Sequence, residues 1–68
     1  MSEIIKISLK AARVNADLEQ REAAKKLGIT VETLRNYETG KTSPTMEMAA
    51  KICAVYNFPQ EHINFIYR

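Results

Sequence analysis

Residues 20–37 read QREAAKKLGITVETLRNY, and the rest of this 68-residue chain is organised around them. Ala23, Ala24 and Leu27 recur at i, i+1 and i+4, one apolar stripe of a helix that opens at Gln20. Gly28 follows at once and supplies the left-handed conformation that stops a helix without a Cβ penalty. Ile29 offers an apolar plug under the turn. Thr30 is a good N-cap, because its hydroxyl can accept from the free amide of Glu32 or Thr33. Glu32 then lies in a first turn, where negative charge suits the helix dipole. Leu34, Tyr37 and Glu38 fall on one face of this second helix, and Val31, Glu32, Arg35 and Asn36 cover much of the rest. The apolar face is expected to point inward, leaving a polar face outside.

Two short helices joined by a Gly-containing turn have the sequence form of a helix-turn-helix. The second helix of such a unit is the one that enters a DNA major groove. The polar groups on Val31–Tyr37 have lengths suited to base edges.

The flanking chain reads as support. Ile4, Ile5 and Ile7 form a β-branched cluster that prefers an extended shape. Ser8 can cap a first helix from Leu9 to about Ala16, with Leu9, Ala12 and Ala16 as its inner edge and Asn15–Asp17 as its exit. The recognition helix is expected to run from Val31 to Tyr37 or Glu38, ended by Gly40, with a loop over Lys41–Pro44. Thr45 can cap a fourth helix reaching Tyr56, with Met46, Ala49, Ile52, Cys53 and Tyr56 buried. Asn57 can end it in the left-handed conformation. Pro59 can start a short fifth helix through His62 or Ile63. Residues 64–68 read as an extended tail, with Phe65 and Tyr67 on one side and Ile66 on the other. For the two apolar ends three arrangements stand open: an antiparallel ribbon of Ile5–Ile7 with Ile63–Ile66, a dimer contact, or disorder.

Length and composition set the bounds. Sixty-eight residues suggest one domain with a thin core. A hydrophobic share of 46% with 26% charged residues is a globular profile. No apolar run approaches the roughly 18 residues of a membrane span, and Met1–Ile7 carries no signal-peptide pattern. The single Cys53 reads as a small buried hydrophobe. These features suit a cytoplasmic protein. Ten basic and eight acidic residues leave a net charge of +2, so any DNA affinity must come from local placement. No nucleophile–His set, paired carboxylates, phosphate loop or zinc spacing is visible, and His62 stands alone. An enzyme, a cofactor or a small-molecule ligand is therefore not expected.

Residues 9–59 resemble the helix-turn-helix domain of lambda-type phage repressors and Cro proteins, the XRE family. The landmarks are Leu9 with Ala12 and Arg13, then Leu18, Gln20, Ala24, Leu27, Gly28, Ile29, Leu34, Glu38, Gly40, Lys41 and Pro44. The resemblance implies an all-α bundle of four or five helices and a transcriptional regulator, usually a repressor, binding double-stranded operator DNA as a homodimer. It makes Gln20 a phosphate grip, with Arg21 beside the backbone path. It places Thr30, Val31, Glu32 and Asn36 at or near the base-reading positions, with Arg35 beside them, and makes Thr33 a phosphate or sugar contact. Gly40, Lys41 and Thr42 resemble a loop that offers backbone amides and a cation to the phosphate strand. Arg13 and Glu38 resemble a partly buried ion pair. The chain departs from the family pattern in three places. Glu19 stands where Ser, Thr or Asn is usual, Ala23 replaces a larger apolar residue, so that the core there is emptier or filled by Tyr37 or Met46, and Arg21 and Glu22 alternate in sign. The competing expectation is a protein-interaction module of antitoxin or anti-repressor type, which keeps the fold without binding DNA.

Overall fold

The computed structural model describes residues 7–64. Four α-helices follow a two-residue strand: β1 Ile7–Ser8, α1 Leu9–Asn15, α2 Gln20–Leu27, α3 Val31–Thr39 and α4 Met46–Tyr56. A single 3-10 turn, Gln60–His62, then leads into β2, Ile63–Asn64. The chain folds as a small all-helical helix-turn-helix bundle.

Caps set the helix boundaries. Ser8, Thr30 and Thr45 each accept a hydrogen bond from the backbone amide three residues on, at 3.0 Å from Ala11, 3.1 Å from Thr33 and 3.1 Å from Met48. Each bond satisfies a donor that the first helical turn leaves open. Glu19 is the exception. Its own amide donates to the Glu22 carboxylate at 3.1 Å, so the entry to α2 is held by the residue three positions inside the helix. Gly28 and Gly40 close α2 and α3 with φ of 72° and 79°, and Asn57 closes α4 at 52°.

The core is drawn from every helix. Leu9, Ala12, Ala23, Ala24, Leu27, Leu34, Ile52, Tyr56 and Ile63 form one buried cluster. Ala23 is fully covered, and Tyr37 packs against that cluster from its edge. Met46 does not, because it is 79% exposed. That corrects the expectation of a buried Met46, and the reason is phase. A helix turns about 100° per residue, which places Met46 roughly 90° away from the centre of the Ala49–Ile52–Tyr56 stripe. Met48 and Cys53, nearer that stripe, are half-buried.

A second correction concerns the ends. Ile7 pairs with Ile63 and Ser8 with Asn64, in parallel rather than antiparallel register. The two strands are separated by all four helices, so no hairpin turn forces them to run in opposite directions. The turn after Pro59, closed by the His62 amide on the Pro59 carbonyl at 3.0 Å, sends β2 along β1 in the same sense. Ile63 is thereby buried. Ile4, Ile5, Phe65, Ile66 and Tyr67 lie outside the described residues.

Candidate nucleic-acid interface

The face of α3 is fixed by what lies behind it. Leu34 is fully buried at the centre of the helix, and residues opposite it on the helical wheel point away from the core. Those residues are Glu32, Arg35, Asn36 and Thr39. Glu32, Arg35 and Thr39 are exposed, and Asn36 is half-buried. The side chains of Glu32 and Arg35 have no hydrogen-bond or ion-pair partner among the described residues. Val31 is half-buried and packs against the core edge.

The N-terminal end of α3 is preorganised. The Thr30 and Thr33 hydroxyls lie 2.8 Å apart, and the Thr30 oxygen also accepts the Thr33 amide. Thr33 is half-buried in this arrangement and Thr30 is exposed. At the other end, the Asn36 carbonyl accepts the backbone amides of Lys41 at 2.9 Å and Thr42 at 3.3 Å, while the Gly40 amide reaches the Tyr37 carbonyl at 3.3 Å. These are the amides that the resemblance would offer to phosphate, and here they are engaged within the chain. They close the C-terminus of α3, where carbonyls would otherwise lack donors. The Lys41 and Thr42 side chains remain exposed.

A buried polar cluster holds α3 against the rest of the bundle. Arg13 of α1 donates from Nε to Glu38 Oε2 at 2.7 Å and from Nη2 to Oε1 at 3.4 Å. Its Nη1 donates to the Leu18 carbonyl at 2.8 Å. Gln20, the first residue of α2, donates from Nε2 to Glu38 Oε1 at 3.0 Å. Gln20 is half-buried in that contact, whereas Arg21 beside it is exposed. Tyr56 of α4 completes the surroundings. Its hydroxyl is buried without a hydrogen-bond partner among the described residues. Burial first, then the Glu38 charge, push the Tyr56 phenol up to about 12, against a smaller lowering by Arg13. The Glu38 carboxylate of α3 thus binds groups from α1 and α2, and its charge reaches the Tyr56 phenol of α4.

Two residues in this scaffold went unnoticed in the sequence. Thr39 extends the exposed stripe by one turn, because α3 runs to the residue before Gly40 rather than ending at Tyr37 or Glu38. The signal was the glycine itself, which marks the position just after the last helical residue. Lys51 of α4 donates to the Leu27 carbonyl at 3.0 Å and so ties α4 to the turn before α3. Nothing local in the sequence marks that bond.

A family description reading helix-turn-helix matches residues 9–59. The chain belongs to the helix-turn-helix family. It is 38% identical over 63 residues to an uncharacterized HTH-type transcriptional regulator of Methanocaldococcus jannaschii, covering 93% of this chain and 94% of that one. It is 36% identical over 55 residues to another uncharacterized HTH-type transcriptional regulator, from Archaeoglobus fulgidus, covering 81% and 78%. No solved structure matches the chain. Within this helix-turn-helix bundle α2 and α3 form the motif, and α3 is its outward-facing second helix. Cys53 is half-buried on α4, and burial pushes its thiol up. Among the described residues no group of three or more His, Cys, Asp or Glu could hold a metal ion, and no helix is long and apolar enough to cross a membrane.

Proposed function

We propose that this chain is a sequence-specific double-stranded DNA-binding protein that represses transcription, reading a major groove with α3 and acting as a homodimer. The observation that carries this reading is the outward polar stripe of Glu32, Arg35 and Asn36, whose side chains have no partner among the described residues, on a helix whose back is fixed by Leu34 and Glu38. A reader of base edges needs side chains that are exposed and a backbone that does not shift. In this reading Arg35 donates to guanine O6 and N7, Asn36 pairs with adenine N6 and N7, and Val31 meets a thymine methyl. Arg21, Lys41 and Thr42 contact phosphate, and the Thr30–Thr33 pair sets the entry of α3. Gln20 acts mainly through Glu38, holding the start of α2 against α3. Two copies on half-sites about 34 Å apart would double the sequence read.

The second reading is a protein-interaction module, favoured by the exposed acids Glu19, Glu22 and Glu32 at the starts of α2 and α3. Fluorescence anisotropy with a duplex from upstream of the chain's own gene, across a salt series, separates the two. Steep salt dependence with sequence preference supports the DNA reader. Absence of binding at low salt supports the interaction module. Sizing chromatography with and without the duplex tests the homodimer.

A further inference from the structure

We infer that Glu32 makes cytosine obligatory at one position of each half-site, by excluding the other three bases. This inference rests on the base-reading function proposed above and names the class of duplex it selects.

The placement comes first. Glu32 is the second residue of α3, exposed, on the face opposite Leu34, with no cation paired to it among the described residues. Residues in the N-terminal part of a recognition helix are the ones that meet base edges. Arg35 shares the stripe, three residues and about 4.5 Å further along the axis. The helix therefore presents an unneutralised anion where it is to approach a polyanion. Such a group is tolerated only where it meets a hydrogen-bond donor.

The major groove restricts that donor. Guanine shows the acceptors N7 and O6, and thymine shows the acceptor O4 and a methyl group. Both repel a carboxylate or leave it desolvated without a partner. Adenine shows an N6 amino group, but its N7 lone pair lies alongside. Cytosine alone offers an N4 amino donor with no acceptor beside it on the same base. A carboxylate only accepts hydrogen bonds, so Glu32 has nothing to offer the acceptor edges of guanine and thymine. The modest net charge of +2 works in the same direction, since little general attraction to phosphate offsets a misplaced anion. Glu32 thus adds specificity chiefly by weakening binding to wrong sites.

The test is selection of the intact chain on a randomised duplex library, followed by anisotropy titration of the enriched duplex and its single-position variants. The same is done for Glu32→Gln and Glu32→Ala, with circular dichroism to verify that each is folded. The wild type is expected to enrich cytosine at one position, where each other base weakens binding about 5- to 150-fold. Glu32→Gln is expected to shift that one position from cytosine to adenine, because an amide pairs with adenine N6 and N7. Glu32→Ala is expected to lose the preference there, keep it elsewhere, and bind non-cognate duplex more tightly than the wild type. If the wild type selects a sequence but both variants select the same one, Glu32 is not a reader, and the inference falls while the DNA-reading function stands. If the folded wild type enriches no sequence, both fall together.

Discussion

Arg13 and Glu38, 25 residues apart in the chain, meet at 2.7 Å between Nε and Oε2 with side chains only 9% and 5% exposed. Such a pair sits where water cannot take the place of either partner. Attraction between the two charges is offset by the cost of desolvating both, so the pair adds little net stability as a whole. Removing one charge is another matter, because the survivor stays buried and uncompensated. Here the guanidinium is also held by the Leu18 carbonyl and cannot easily swing out.

Glu38→Gln is accordingly expected to cost about 3–5 kcal/mol. In a domain of this size that lowers the melting temperature by more than about 12 °C. Thermal melts followed by circular dichroism measure it. The paired replacement Arg13→Met with Glu38→Leu is expected to recover most of the loss, since apolar groups of similar volume remove both desolvation costs. A drop of less than about 4 °C for Glu38→Gln would mark the pair as effectively solvated.

Tyr56 gives the opposite sign. Its hydroxyl is buried without a partner among the described residues, which costs about 1–3 kcal/mol relative to a satisfied group. Tyr56→Phe is expected to be neutral or stabilising in urea denaturation near pH 7. The pH dependence follows from the same burial. The phenol is raised from 10 to about 12 in the folded chain, so it stays neutral in the native state while the unfolded chain begins to ionise. Its contribution is fully present below pH 10 and is lost as pH rises from 10 to 12, at about 1.4 kcal/mol per unit. Between pH 10 and 12 the wild type should therefore lose stability faster than Tyr56→Phe. Parallel curves for the two would place the hydroxyl in contact with water.

At Gly28 conformation and space can be separated. Among the described residues a Cβ there would meet only Lys51 Nζ, at 3.6 Å, an ordinary contact with the end of a flexible side chain. The φ of 72° is what resists substitution. Gly28→Ala is expected to cost about 1–2 kcal/mol from the left-handed backbone alone. Gly28→Asn should cost less, since asparagine visits that region more readily. Denaturation midpoints in the order Gly, Asn, Ala support a conformational origin. Equal loss for Asn and Ala points to crowding by Lys51 instead.

Much of the fold was legible because its punctuation is local. Ser8, Thr30, Thr45, Gly28, Gly40 and Asn57 each act on a backbone group within a few residues, so type and position alone mark them. Met46 misled because stepping by threes and fours drifts around a helix, and a residue at the first turn has few neighbours to cover it. The direction of β2 was not legible, since strand sense depends on how four helices pack between the partners. The interface divides the same way. Exposure of Glu32 and Arg35 followed from their phase against Leu34. The engagement of Gln20 with Glu38 and of the Lys41 and Thr42 amides with the Asn36 carbonyl did not, because those groups could equally reach outward to phosphate until the packing was known.

That division leads to a comparison of Arg35 with Lys41. Both are exposed cations, and charge alone would give them the same role. Their settings differ. Arg35 lies mid-helix on the outward stripe, where a planar fork can reach guanine O6 and N7. Lys41 follows the C-terminal cap of α3, on a loop closed by its own amide, and offers only a mobile point charge. Arg35→Ala is expected to weaken the preferred duplex by about 1–3 kcal/mol while changing non-specific binding far less, so the ratio between the two falls about 5- to 150-fold. Lys41→Ala is expected to weaken all duplexes alike and to lower the slope of log K against log salt by about 1. Anisotropy titrations of both variants on cognate and scrambled duplexes, at four or more salt concentrations, measure the two effects independently. Should Arg35→Ala change only the salt slope and leave the preference intact, that side chain contacts phosphate, and the reading of bases rests on Glu32 and Asn36.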